Sequence, residues 1–230
     1  MRDPENICQV AALNIDLMGF IFYPRSPRYV AGNRTSATEP VTALAGSPVA
    51  APVPTVESIG EDASVDAIHY CLKAKVGVFV NEPVSGILNI AERYGLDYLQ
   101  LHGDESPDHC EVLRRQGYSI IKVFPVASTA DLNQVTDYRN SADFFLFDTK
   151  CTHYGGSGIR FDWSILNEYK ESVPFFISGG LTAGCVREIS LLSHHPAFTG
   201  IDLNSGFEVS PAVKDIEGLK SFIDVIRRCT

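Results

Sequence analysis

The sequence has no apolar run of about eighteen residues or more, the length a membrane-spanning helix needs. It has no run of lysines and arginines, and its 19 Lys+Arg against 28 Asp+Glu leave a net charge of −9. Nucleic acids and anionic membranes are bound through clustered cations that displace counterions, so neither is expected as a partner. It has no C-x-x-C pair and no histidine at ligand spacing from a cysteine, which removes the common zinc and redox motifs, and no metal is expected. Cys8, Cys71, Cys110, Cys151, Cys185 and Cys229 are scattered and read as free thiols. The N-terminus, MRDPENICQV, lacks a basic segment leading into an apolar one, so the expectation is a soluble, unexported, cytoplasmic protein. What remains is ordinary globular composition: 230 residues, 45% apolar and 20% charged, enough for a sizeable core.

From about residue 76 onward, short β-branched or aromatic runs alternate with amphipathic segments, the pattern of parallel βα units. Strands are predicted at 76–80, 97–103, 119–124, 143–149, 174–180 and 200–206, with a further one upstream at 17–22. The runs are apolar nearly throughout, which suits strands covered on both faces. Helices carry their own punctuation. Asp3-Pro4 opens the first, with Ile7, Val10 and Ala11 on one face; Ser106-Pro107 opens another that Gly117 ends; Gly95 closes the helix holding Ile87, Leu88 and Ala91. A helix is predicted from Ser64 with Val65, Ile68, Cys71 and Leu72 inward. With no G-x-G-x-x-G after the first strand, the α/β pattern fits a (β/α)8, or TIM, barrel better than a doubly wound sheet. The predicted strands are one short of eight. Because the chain opens on a helix cap, the first strand is expected before Met1, and without it the runs at 17–22 and 200–206 are both edges. The stretch 31–62, rich in Ala, Pro, Ser and Thr and lacking aromatics, has no helical or strand period and reads as a mobile insertion in a single barrel domain spanning 1–230.

In such a barrel the chemistry sits where strands end. Asp148 follows the apolar run Phe144 to Phe147, where desolvation favours the protonated form and suits a general acid; a capping role, or a pair with Lys150, is the alternative. Arg28 lies in a loop stiffened by Pro24 and Pro27, a setting for gripping a carboxylate or phosphate, although a solvated arginine fits as well. Asp202 ends the last run. Ser178-Gly179-Gly180 and Asn204-Ser205-Gly206 end the last two strands. Backbone N–H groups of such turns cradle a phosphate, though glycine also occurs there only for its positive φ. Gly155, Gly156 and Gly158 suit either a closing loop or a plain flexible connection. His102 reads as a hydrogen-bonded rim residue, and His194-His195 as an ordinary loop.

Taken in order, GFIFYPRSPRYV, KVGVFVNEP, LQLHGDESP, FDTKCTHYGGSGIRFDW, ISGGL and DLNSGFE resemble phosphoribosylanthranilate isomerase, an enzyme of tryptophan biosynthesis. The likeness covers the chain apart from 31–62. It implies the eightfold barrel, a small phosphorylated substrate and an Amadori rearrangement of N-(5′-phosphoribosyl)anthranilate to 1-(2-carboxyphenylamino)-1-deoxyribulose 5-phosphate, with no metal or organic cofactor. By the same likeness Asp148 is the acid, Arg28 faces the anthranilate carboxylate, and Gly179, Gly180, Ser205 and Gly206 hold the phosphate; His102 and Asp202, at strand ends, are taken as further substrate contacts. DLNSGFE departs from the family's usual D-V-S-S-G-V-E at Asn204 and Phe207.

The resemblance also implies a general base that these residues do not show: a cysteine in a K-[IV]-C-G motif at the end of the first strand, just ahead of a helix opening like Asp3-Pro4. Cys8 lies five residues past that cap, inside the helix, and does not replace it. An alternative of a different class follows, a phosphate-binding barrel without isomerase activity. A third, indoleglycerol-phosphate synthase, wants catalytic lysines at strand ends, and Lys122 is the only clear strand lysine.

Overall fold

The apolar runs form one parallel sheet whose strands follow the chain order: β1 (Leu17–Ile21), β2 (Ala74–Phe79), β3 (Tyr98–Leu101), β4 (Ser119–Val126), β5 (Phe144–Thr149), β6 (Phe175–Ile177) and β7 (Phe198–Ile201). The computed structural model describes residues 1–30, 67–69, 71–149 and 161–229. The predicted insertion at 31–62 and the glycines at 155, 156 and 158 lie outside them. Because side chains alternate across a strand, each run feeds two layers. Val76, Ile121, Val123 and Leu146 pack inside the curve of the sheet with Leu17, Tyr98, Phe144 and Phe176 against them. Their neighbours Phe79, Leu99, Leu101, Phe145, Phe147 and Phe175 are fully buried on the outer face, in the core shared with the helices. Burial on both faces is why the runs lack polar alternation.

The helices start where their caps predict. In α1 (Pro4–Ala11), Asp3 Oδ1 accepts from the Asn6 N–H at 2.8 Å. In α3 (Pro107–Arg115), the Ser106 hydroxyl accepts from the His109 N–H. Between them, α2 (Val84–Tyr94) ends at Gly95 with φ 58°. After β6 comes α4 (Val186–Leu192), and after β7 a small antiparallel hairpin, β8 (Glu208–Ser210) with β9 (Val213–Lys214), leads into α5 (Ile216–Cys229).

Four expectations need correction. The strand predicted at 200–206 ends at Ile201, because Ser205–Phe207 forms a 3-10 turn packed on the preceding loop. Tight 3-10 segments, Thr129–Tyr138 and Trp163–Glu168, stand after β4 and β5 in place of full helices. Leu72 is 82% exposed where an inward position was predicted, since Cys71 and Leu72 are no longer helical and the chain is already rising to β2. Ile68 and Cys71 are buried as expected, and Val65 lies outside the described residues. Lys122 points away from the sheet interior, which removes the one strand lysine that suited indoleglycerol-phosphate synthase chemistry. Among the described residues β1 pairs with β2 and β7 with β6, which leaves an opening between β1 and β7 bordered by the bridge of Tyr29 to Ile21.

Lys122 has a structural task instead. Its ammonium, 2% exposed, donates to Glu105 Oε2 at 3.0 Å and to the carbonyls of Leu101 and Gly103 at 3.1 and 2.7 Å. Glu105 in turn accepts from the N–H groups of Asn81 and Gly103 at 2.8 and 2.9 Å. Burial alone pushes this carboxyl up, but Lys122 and the Asn81 N–H outweigh it and hold it below the usual carboxylate range. The pair thereby fixes the loop that carries His102. Lys122→Met strands a buried carboxylate, and urea unfolding should show a loss of about 3–5 kcal/mol.

Candidate active site

All seven strands run the same way, so the residues that follow them open on one end of the sheet. Asp148 shares the inward parity of Phe144 and Leu146, and its side chain remains about a quarter exposed at 26%. Its Oδ1 accepts from the Thr149 N–H at 2.8 Å, and its Oδ2 lies 3.4 Å from His102 Nε2. Next to it, Gly179 and Gly180 adopt φ 86° and 66°. A Cβ at Gly179 would stand 2.5 Å from Asp148 Oδ1 and 2.6 Å from Thr149 Oγ1, so glycine is required there by both the backbone and the carboxyl it touches. A Cβ at Gly206 would run into the Leu181 carbonyl oxygen. The two glycine turns therefore abut, and the second follows Asp202 directly.

Asp202 receives the Ser178 hydroxyl at 3.4 Å. Burial pushes its carboxyl above the usual range and the like charge of Asp148 adds to this, against the pull of Lys214 and His102. A carboxyl raised in the folded state contributes stability below its ordinary value of 3.8, and that contribution is lost as pH rises through the folded value. Asp202→Asn does not titrate there. Urea unfolding should show the variant matching the wild type near about pH 3 and becoming the more stable of the two toward about pH 8.

Arg28 is neither solvated nor idle. Its Nε donates to Glu208 Oε1 and Oε2 at 3.0 and 2.8 Å, and its Nη2 to Oε2 at 2.6 Å. Glu208 also meets Lys214 Nζ at 3.3 Å, and Lys214 Nζ donates to Asn204 Oδ1 at 2.9 Å. Asn204, the departure from the family motif, is thus the acceptor for a buried ammonium. Ion pairs join Arg28 to Glu208 to Lys214 and His102 to Asp148, and Asp202 feels the charges of Lys214, Asp148 and His102, which brings the predicted Arg28, Asp202, Asp148 and His102 into one electrostatic neighbourhood. Sequence reasoning missed Glu208 and Lys214. The first stood inside the quoted motif DLNSGFE. Nothing in composition or period marked the second.

Other side chains stay outside this cluster. His194 and His195 bond to the carbonyls of Ser190 and Tyr169. Cys8, Cys71, Cys110 and Cys229 are free thiols, the Cys185 thiol meets the Thr182 N–H and the Gly180 carbonyl, and Cys151 lies outside the described residues. Among the described residues no three His, Cys, Asp or Glu side chains are grouped to hold a metal, and no helix is long and apolar enough to cross a membrane.

Residues 65–225 match the family described as N-(5'phosphoribosyl)anthranilate (PRA) isomerase. The chain is 46% identical over 229 residues to N-(5'-phosphoribosyl)anthranilate isomerase of Parabacteroides distasonis, covering 98% of this chain and 90% of that protein. Among solved structures, phosphoribosyl anthranilate isomerase from Thermotoga maritima superposes with a TM-score of 0.74 at 27% identity, over 99% of this chain and 96% of that one. A phosphoribosyl anthranilate isomerase in complex with reduced 1-(o-carboxyphenylamino)-1-deoxyribulose 5-phosphate superposes at 0.72 with 25% identity, over 99% and 95%.

Proposed function

Because the chain belongs to the phosphoribosylanthranilate isomerase family, we propose that it catalyses the Amadori rearrangement of N-(5′-phosphoribosyl)anthranilate in tryptophan biosynthesis, as one cytoplasmic barrel domain. The observation that carries this is the single rim on which Asp148, Arg28 and the abutting glycine turns stand together.

Asp148 donates a proton to the ribose ring oxygen while the anilino nitrogen pushes the ring open to an iminium. A base removes the proton from C2′, giving an enolamine that tautomerises to the ketone. His102, 3.4 Å from the Asp148 carboxyl, orients it and stabilises the carboxylate left after proton donation. The amides of the turns at Gly179, Gly180, Ser205 and Gly206 hold the phosphate. Asp202 faces the sugar hydroxyls, and Arg28 meets the anthranilate carboxylate. The sequence of steps consists only of proton transfers, so this reading invokes no metal or organic cofactor.

We further infer that the barrel's eighth strand pairs in the opening between β1 and β7, with the general-base cysteine at its end. Among the described residues no thiol occupies a strand end. Cys8 and Cys110 lie within α1 and α3, Cys229 within α5, Cys71 ahead of β2, and Cys185 in the turn entering α4.

The reading is tested by titrating the purified protein with reduced 1-(o-carboxyphenylamino)-1-deoxyribulose 5-phosphate and by following anthranilate fluorescence as the aminoribose phosphate is consumed. Saturable binding that inorganic phosphate displaces is expected. No binding of the analogue, with the fold intact by circular dichroism, would overturn the assignment.

A further inference from the structure

A guanidinium clamped on one carboxylate is a neutral pair, and a neutral pair has little attraction for a second carboxylate. Arg28 is clamped in this way, by Nε and Nη2 onto a Glu208 carboxyl whose side chain is 4% exposed. Of the five guanidinium donors Glu208 occupies the Nε edge, and no hydrogen bond is made to Nη1 among the described residues. Glu208 is itself held from two further sides, by Lys214 Nζ at 3.3 Å and by the Ala212 N–H at 3.3 Å. Ala212 reaches it at φ 73°, a left-handed conformation unusual for alanine.

The hairpin that carries these groups is docked rather than dangling. The side-chain amide of Asn6, buried in the first turn of α1, donates to the Lys214 carbonyl at 3.0 Å and accepts from the Lys214 N–H at 2.8 Å, as a neighbouring strand would. That fixes the backbone from which the Lys214 ammonium reaches both Glu208 and Asn204. With Arg28 and Lys214 on one carboxylate, the group of three carries a net charge of +1. Asp202, whose charge also acts on Lys214, has its carboxyl pushed up by burial, which favours its neutral form.

We propose that Glu208 and Lys214 are positioning residues for substrate recognition: Glu208 fixes Arg28 so that its Nη1 edge meets the anthranilate carboxylate, and Lys214 shares the Glu208 charge so that the clamped pair is not neutralised toward a second carboxylate. This rests on the assignment of Arg28 to that carboxylate, and it makes the β8–β9 hairpin part of the specificity machinery. Glutamate suits the task because its two oxygens match the Nε and Nη2 edge in one plane, which sets the angle of the free edge as well as its place.

The test compares two ligands by calorimetry: the reduced product analogue, and the same compound with a plain phenyl ring in place of the carboxyphenyl ring. The wild type should prefer the carboxylated ligand. Glu208→Gln should cut that preference by about tenfold or more, and Lys214→Met by about fivefold, with Lys214→Arg restoring it. A purely structural role weakens both ligands alike and leaves the ratio unmoved. An unchanged ratio in Glu208→Gln and Lys214→Met, with the preference abolished in Arg28→Met, overturns the positioning roles alone. Preference retained in Arg28→Met overturns the assignment of Arg28, and the proposal with it. Lys214→Met carries the comparison should Glu208→Gln fail to fold.

Discussion

Asp148→Asn should lower turnover by about 10²- to 10⁴-fold while leaving the affinity for the reduced product analogue within about threefold. The amide has the shape of the carboxyl and still accepts from the Thr149 N–H, so the turn at Gly179, which packs directly on Oδ1, keeps its place. What disappears is the proton. Ring opening then has no donor at the oxygen that must leave, and the charge developing there is met only by a neutral amide. The 3.4 Å approach of His102 Nε2 makes the outcome diagnostic, since an imidazolium could itself act as the acid. Turnover in the variant that persists only at low pH would assign the donor to His102. Turnover unchanged across pH would remove the acid from this corner of the rim, leaving Asp202 as the adjacent carboxyl. Stopped-flow fluorescence of the anthranilate group measures the rate, and calorimetry with the analogue measures the binding.

The barrel core was legible because each of its features is local. An apolar run bounded by a turn announces a strand, and Asp3-Pro4, Ser106-Pro107 and Gly95 announce helix ends within a few residues of where the hydrogen bonds form. The placement of Asp148 and of the glycine turns at or just beyond strand ends was legible for the same reason. The ion-paired cluster around Glu208 is the opposite case. Arg28 and Glu208 lie 180 positions apart in the chain, and Asn6 lies 208 from Lys214, so no window of sequence contains both partners. The most such a window offers is a charged residue after a strand, which reads as readily as a solvated one. Lys122 shows how that ambiguity misleads: a lysine in a barrel strand suggests chemistry, yet strand parity turns it outward onto Glu105. Leu72 shows the limit of periodicity, since a helical pattern carried past the helix end assigns an exposed residue to the core.

The opening between β1 and β7 leads to the other large effect. A parallel barrel closes only when every strand has two neighbours, and among the described residues neither β1 nor β7 has a second strand beside it, although the Gly19 and Ile21 carbonyls on that edge of β1 already accept from the Met1 amine and the Val30 N–H. A protein extended ahead of Met1 through a strand ending in K-[IV]-C-G should therefore differ from residues 1–230 in two separable ways. Its thermal transition should rise by about 5 °C or more, because paired edges and one further set of inward side chains are added. Its turnover should rise by about 10²- to 10⁴-fold if the proposed base stands there, because a thiolate at that strand end supplies the proton acceptor that the proposed mechanism requires. Cysteine to serine within the added strand separates the effects: the serine keeps the pairing and the higher melting temperature but loses the gain in rate. Residues 1–230 turning over as fast as the extended protein would place the base among the residues already in hand. Extension that moves neither temperature nor rate would mean that this side of the sheet is not where the eighth strand pairs.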